Sequence, residues 1–195
     1  MSYISPIANP QPFVTKIRGL SDEANTIDSG VGRAKRDAAE FVSKYSADFQ
    51  IVSELQASTE HFITRWVSTL QQTRDAASSI SAWYQRFIEV FLSLIDMIGS
   101  EGDVKEVIAE FNNLLGETHP STKYQLDTTP GVKNAFNEIE ALVCVESKHI
   151  IDVLQSAKAS NFSKTVEGLK KEIAPVKLGA AHIRQALNNY ATRLE

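Results

Sequence analysis

The sequence predicts an all-α protein, an elongated up-down bundle of four long helices plus one short helix with coiled-coil-like packing. Three observations carry this. Apolar residues recur at alternating steps of three and four along every long segment, which is the period of a helix face. No segment alternates apolar and polar residues strictly, as a half-buried strand does. From Arg33 to Ile98 there is neither Gly nor Pro, so nothing in the backbone chemistry interrupts helix there. At 195 residues, 23% charged and 43% hydrophobic, the chain has globular values and enough length to bury a core without disulfides or metals. A single domain over residues 1–195 is the expectation.

Pro6, Pro10 and Pro12 make residues 1–12 an irregular arm. Beyond them Phe13, Ile17, Leu20, Ala24, Ile27, Val31, Ala34, Ala38, Phe41 and Tyr45 form one heptad seam, far longer than a short amphipathic helix requires. The register resumes at Val52, Leu55, Phe62 and Trp66, and continues through Ile80, Trp83, Phe87, Val90, Leu94 and Met97. The two halves could form one rod of roughly 100 Å, but Asp48 sits where the seam wants an apolar residue. Ser53 to Gln56 fits a capping box, so a hairpin turn is expected near residues 47–53. Gly30 and Gly32, inside the first helix, suggest close packing or local weakening and not a phosphate-cradling turn, since no strand precedes them.

Gly99, Gly102 and Asp103 end the second helix and start the short one, which places Val104, Val107, Ile108, Phe111 and Leu115 on one face and stops at Gly116. Residues 117–130 read as a surface loop. Thr128-Thr129-Pro130 leads into a fourth helix with Phe136, Ile139, Val143, Ile150, Val153 and Ala157 inward, ending near Ser160 or Asn161. The last helix carries its seam from Phe162 through Leu187 to Leu194, with Pro175 inside it.

The stretch RFIEVFLSLIDMI, residues 86–98, holds nine large apolar residues of thirteen. Its polar residues Arg86, Glu89, Ser93 and Asp96 fall at i, i+3, i+7 and i+10, one narrow stripe. Such a helix must be enclosed by several neighbours or by lipid. It is too short and too charged to span a bilayer alone, so core is the expectation. Phe87, Phe91, Leu94, Ile95 and Ile98 are the residues that would meet a membrane or a partner if the segment left the core.

Chemistry is sparse. Glu146 and His149 match the Glu-x-x-His spacing of di-iron bundles, yet no second such pair exists, so an ordinary helix-surface pair is expected, with no metal and no cofactor. His61, His119 and His182 have no Cys, Asp or Ser at a triad or ligand spacing. Cys144, the only cysteine, reads as a small buried hydrophobe. Lys164, Lys170, Lys171, Lys177 and Arg184 flank the last seam, either as charges whose stems cover the core or as a docking stripe for an acidic partner or anionic lipid. A net charge of −4 without a basic block argues against nucleic acid.

The N-terminus lacks a basic region followed by an apolar run, so a cytoplasmic protein, or one secreted without a cleaved signal peptide, is expected. The leading expectation is a non-enzymatic bundle that works by protein–protein interaction or self-association. The rival is a membrane-active, pore-forming or lipid-binding protein using residues 82–98; long antiparallel helices with one apolar segment resemble cytolysin-type toxins in outline.

Overall fold

The computed structural model describes residues 2–193, which contain α-helix, one π-helical stretch and one 3-10 turn, and no strand. Helices α1 (Gln11–Tyr45) and α2 (Gln50–Arg86) form an antiparallel hairpin. The expected turn is there, over residues 46–49, with the Asp48 and Phe49 N–H groups both donating to the Tyr45 carbonyl. The expected capping box is not. Phe49 is the N-cap of α2, without a side-chain cap, and Ser53 lies inside the helix. Gln56 donates to Glu60 instead, at 3.0 Å. Position i+4 on a helix face is closer than the cap, which explains the choice. Neither Gly30 nor Gly32 packs against another helix: a Cβ there would meet only the side chains of Arg33 and Arg36.

Beyond α2 the same helix runs on through a π-helical stretch, Phe87–Leu92, and α3, Ser93–Asp96. A π turn holds one more residue than an α turn, so everything after it is rotated by one position. The buried line therefore runs Tyr84, Phe87, Phe91, Ile95, Ile98, with steps of four, four and three after Phe87. Val90 and Met97, expected in the seam, are exposed. The polar stripe survives: Arg86, Glu89 and Asp96 are exposed and Ser93 is half-buried.

Helix α4 (Glu101–Leu115) opens on a true capping box, in which Ser100 accepts from the Asp103 N–H and Asp103 from the Ser100 N–H. Those backbone donors, Gly99 first, hold the Asp103 carboxyl below its usual range. Helix α5 (Pro130–Gln155) ends earlier than expected, and α6 (Phe162–Arg193) runs unbroken past Pro175. Contacts fix the directions. Asp96 to Lys177, Gln85 to Arg184 and Arg74 to Ala191 place α2 antiparallel to α6, and Lys16 to Glu138 places α1 against α5. One continuous core, from Ile7 and Ile17 to Leu187 and Tyr190, lies between α1, α2, α4, α5 and α6.

Two segments, the expected irregular arm and the expected surface loop, are pinned by buried glutamates. The N-terminal arm is a packed strap: Ile7 is fully buried, and the Tyr3 and Ser5 hydroxyls donate to the same Glu146 oxygen at 2.8 and 2.5 Å. Its backbone crosses α6 at Gly179, where a Cβ would lie 1.7 Å from the Ile7 carbonyl oxygen. The 117–130 segment contains a 3-10 turn, Pro120–Lys123, with Pro120, Ser121 and Leu126 buried. There Glu140 accepts from the Ser121 N–H and hydroxyl at 2.8 and 2.6 Å. In each case a carboxylate sunk in the core needs donors, and the irregular segment supplies them.

Candidate functional site

The α1–α2 hairpin is longer than the bundle it belongs to. Helix α6 ends near Arg74, whose guanidinium donates to the Ala191 carbonyl, and α5 starts beside Leu20. Among the described residues no hydrogen bond or ion pair joins residues 29–65 to any element outside the hairpin. The result is an arm about 30 Å long.

Two helices cannot enclose a seam. On α1 the half-buried positions of the arm are Gly30, Val31, Gly32, Ala38 and Val42; on α2 they are Thr59, Ile63 and Trp66, with Val52 buried. Trp66 also crosses to α1, donating from Nε1 to Asp28 at 3.0 Å. Three residues on from each contact line come Ile27, Ala34 and Phe41 on α1, and Leu55 and Phe62 on α2, all exposed. Antiparallel helices are related by a two-fold perpendicular to their common plane, so positions of the same phase lie on the same side. The arm therefore presents one apolar face, with Phe41 45%, Phe62 55% and the neighbouring Ile51 70% exposed. Phe41 and Tyr45 pack with their rings tilted at 47° and centroids 4.9 Å apart within it. At its root the face runs into a groove of about 350 Å³, lined by Leu20, Ile27, Trp66, Thr69, Leu70 and Val132 among others.

The residues singled out in the sequence have other duties. Phe87, Phe91, Ile95 and Ile98 are buried and Leu94 is half-buried, so they form no outer face in this conformation. Among the described residues no helix is long and apolar enough to cross a membrane. Of the basic stripe, Lys170 donates to the Ile98 carbonyl, Lys177 pairs with Asp96 and Arg184 donates to Gln85. Those three tie α6 to the α2–α3 helix, leaving Lys164 and Lys171 exposed. Glu146 and His149 are not the helix-surface pair expected, since the strap covers them: Glu146 is buried, and His149 stacks on Tyr3 at 3.5 Å and pairs with Glu172 at 2.6 Å. This cluster fastens the strap. Burial, then the Glu146 hydrogen bond, push the Tyr3 phenol far above its ordinary value. No group of three or more His, Cys, Asp or Glu is placed to hold a metal among the described residues.

The chain matches no protein-family model, and no characterised protein is similar to it in sequence. Function has to be read from this chain's own surface.

One cluster corrects the sequence reading. His119 Nε2 lies 3.3 Å from the Cys144 sulfur, and its Nδ1 lies 3.6 Å from Glu140. Thiol, imidazole and carboxylate stand in the order that activates a nucleophile. The electrostatics run the other way: burial, reinforced by the Glu140 charge and opposed by Lys148, raises the Cys144 thiol. Glu140 meanwhile is occupied by Ser121. The cluster holds the 3-10 turn onto α5, while the arm carries the largest run of exposed apolar side chains among the described residues.

Proposed function

We propose that this chain is a non-enzymatic interaction protein whose bundle body carries a projecting helical hairpin, and that the hairpin's apolar face docks a protein partner. The carrying observation is the row Ile27, Phe41, Tyr45, Ile51, Leu55 and Phe62, exposed on one side of a two-helix arm. Contiguous exposed apolar surface rimmed by polar residues marks interaction sites. Heptad spacing on both helices makes the face a natural seat for further helices, by knobs-into-holes packing.

The test is a double substitution, Phe41→Glu with Phe62→Glu. Both side chains point to solvent in the free protein, so helical circular dichroism and the melting temperature should hold. Proteins cross-linked to the wild-type chain in its own cells should be lost with the variant. An unchanged set of cross-linked proteins at unchanged stability rules out the arm face as the docking surface.

A further inference from the structure

We infer that the body carries a second docking surface, a groove between α4 and the helix that runs through the π-helical stretch into α3, and that its occupant is a basic amphipathic helix of a protein partner. The groove lies about 35 Å along that helix from the arm face, so the inference stands apart from how the arm is used.

The local backbone makes the groove. The extra residue held by the π turn over Phe87–Leu92 leaves Val90 and Met97 outside the core on the side of α4, 49% and 68% exposed, with Leu94 half-buried between them. These three fall at i, i+4 and i+7, an apolar stripe about 10 Å long. Val107 of α4 completes the floor, and the space enclosed is about 330 Å³. The Phe91–Phe111 ring contact and the Arg86–Glu117 ion pair set the two walls antiparallel, so a third helix can lie lengthwise between them with its apolar residues in the groove. Turns of π-helix inside longer helices often mark surfaces that are used.

Charge chooses the occupant. The other residues lining the groove are Asp103, Glu106 and Glu110, at i, i+3 and i+7 along α4, and Glu89 stands exposed beside Val90. No cation is among the lining residues. The nearest cations are held elsewhere. Arg86 pairs with Glu117, Lys177 with Asp96 on the α6 side, and Lys170 with Glu167 and the Ile98 carbonyl. Lys105 lies on the opposite flank of α4, in the cleft toward α5. Glu106 and Glu110 are exposed and, among the described residues, stand outside every ion pair. An apolar floor beneath an unpaired acidic rim complements a helix that is apolar on one face and carries Lys or Arg on its flanks. The same rim repels anionic lipid and nucleic-acid phosphates. Met97, unbranched and polarisable, can adapt to whichever anchor side chain it meets.

Fluorescence anisotropy with the full chain tests this. The probe is a labelled designed helix of about five turns, with Leu on one face and Lys on the other, compared with its counterpart carrying Glu for every Lys. The Lys peptide should bind with a Kd of about 1–100 μM, more weakly as salt is raised, and the Glu peptide should not bind. Glu106→Lys with Glu110→Lys should weaken binding about tenfold or more. Val90→Ser with Met97→Ser should weaken it about as much, by removing the apolar anchors. All four side chains are exposed, so circular dichroism and melting temperature should hold in both variants. The chain with Phe41→Glu and Phe62→Glu should bind the Lys peptide at least as tightly as wild type.

No binding of either peptide up to about 1 mM overturns the groove as a docking surface. A Glu peptide that binds as well as the Lys peptide overturns the basic occupant. Binding lost through the Phe41 and Phe62 substitutions but untouched by those in the groove places the peptide on the arm, and so overturns this inference while leaving the reading of the arm face intact.

Discussion

At the scale of single residues, what the chain guards most closely is the seating of its irregular segments. Gly179 is the clearest case, because the Ile7 carbonyl lies where its Cβ would be, and backbone cannot swing away as a flexible side chain can. Gly179→Ala should unseat the strap from α6, lowering stability by about 1–3 kcal/mol and opening residues 3–9 to limited proteolysis. An unchanged digestion pattern would show that the strap does not depend on this crossing. At Cys144 burial raises the thiol above its ordinary value of 9.0. A raised value keeps the thiolate scarce, so alkylation by iodoacetamide should be slower than for free cysteine at neutral pH and still climbing above pH 9.0. Lys148→Ala should slow it further, because the lysine charge lowers the value. A fast reaction saturating near pH 7 would make Cys144 an activated nucleophile after all. Neither site was legible in the sequence. Glu140 looks like any helix glutamate, and although Glu146 falls in the phase of the seam, seven residues on from Ile139, only the fold reveals that Ser121, Tyr3 and Ser5 come to the two carboxylates from far along the chain.

At the scale of elements, local pattern carried most of the information. The helices, the hairpin turn and the Gly99–Gly116 punctuation follow from periodicity and from breakers, which act within a few residues. The π stretch at Phe87–Leu92 escaped because a run such as Phe-Ile-Glu-Val-Phe-Leu is apolar on nearly every side. Either Val90 or Phe91 satisfies the pattern, and packing against Phe111, whose ring lies 5.8 Å from that of Phe91, makes the selection. The Arg86 guanidinium covers the same ring at 5.7 Å. Phe91→Ala should therefore cost about 2–5 kcal/mol, while Glu89→Ala, which removes only an exposed contact with Gln85, should stay within about 0.5 kcal/mol. Denaturant unfolding measures both. If Phe91→Ala is neutral, this segment is not the core that its burial implies.

At the scale of the whole molecule, the chain divides by enclosure into a body that buries its seams and an arm that does not. Helix lengths hinted at this: one helix runs on from Gln50 to Asp96, against 26 residues in α5 and 32 in α6, and α6 is drawn to its far end by Lys177 and Arg184, so the body does not reach the hairpin's tip. The face that remains uncovered still looked like core, because a heptad pattern is the same whether its partner lies in the same chain or outside it. The division can be tested by excision. Removing residues 32–45 and 50–63 takes two heptads from each helix, keeps the turn at residues 46–49, and returns the remaining seam residues to matching phase. Among the removed residues the only buried one is Val52, at 3% exposure, whereas the body core from Ile17 to Tyr190 is untouched. Burial of a single valine is worth about 1.5–3 kcal/mol, and removing two heptads per helix also removes the chain entropy that ordering them costs. The shortened chain should accordingly unfold in one cooperative transition within a few degrees of the full protein, by about the margin that ~1 kcal/mol shifts a domain of this size. Loss of cooperative unfolding would show that the arm is part of what holds the body together, and the reading of the hairpin as a docking element would fall with it.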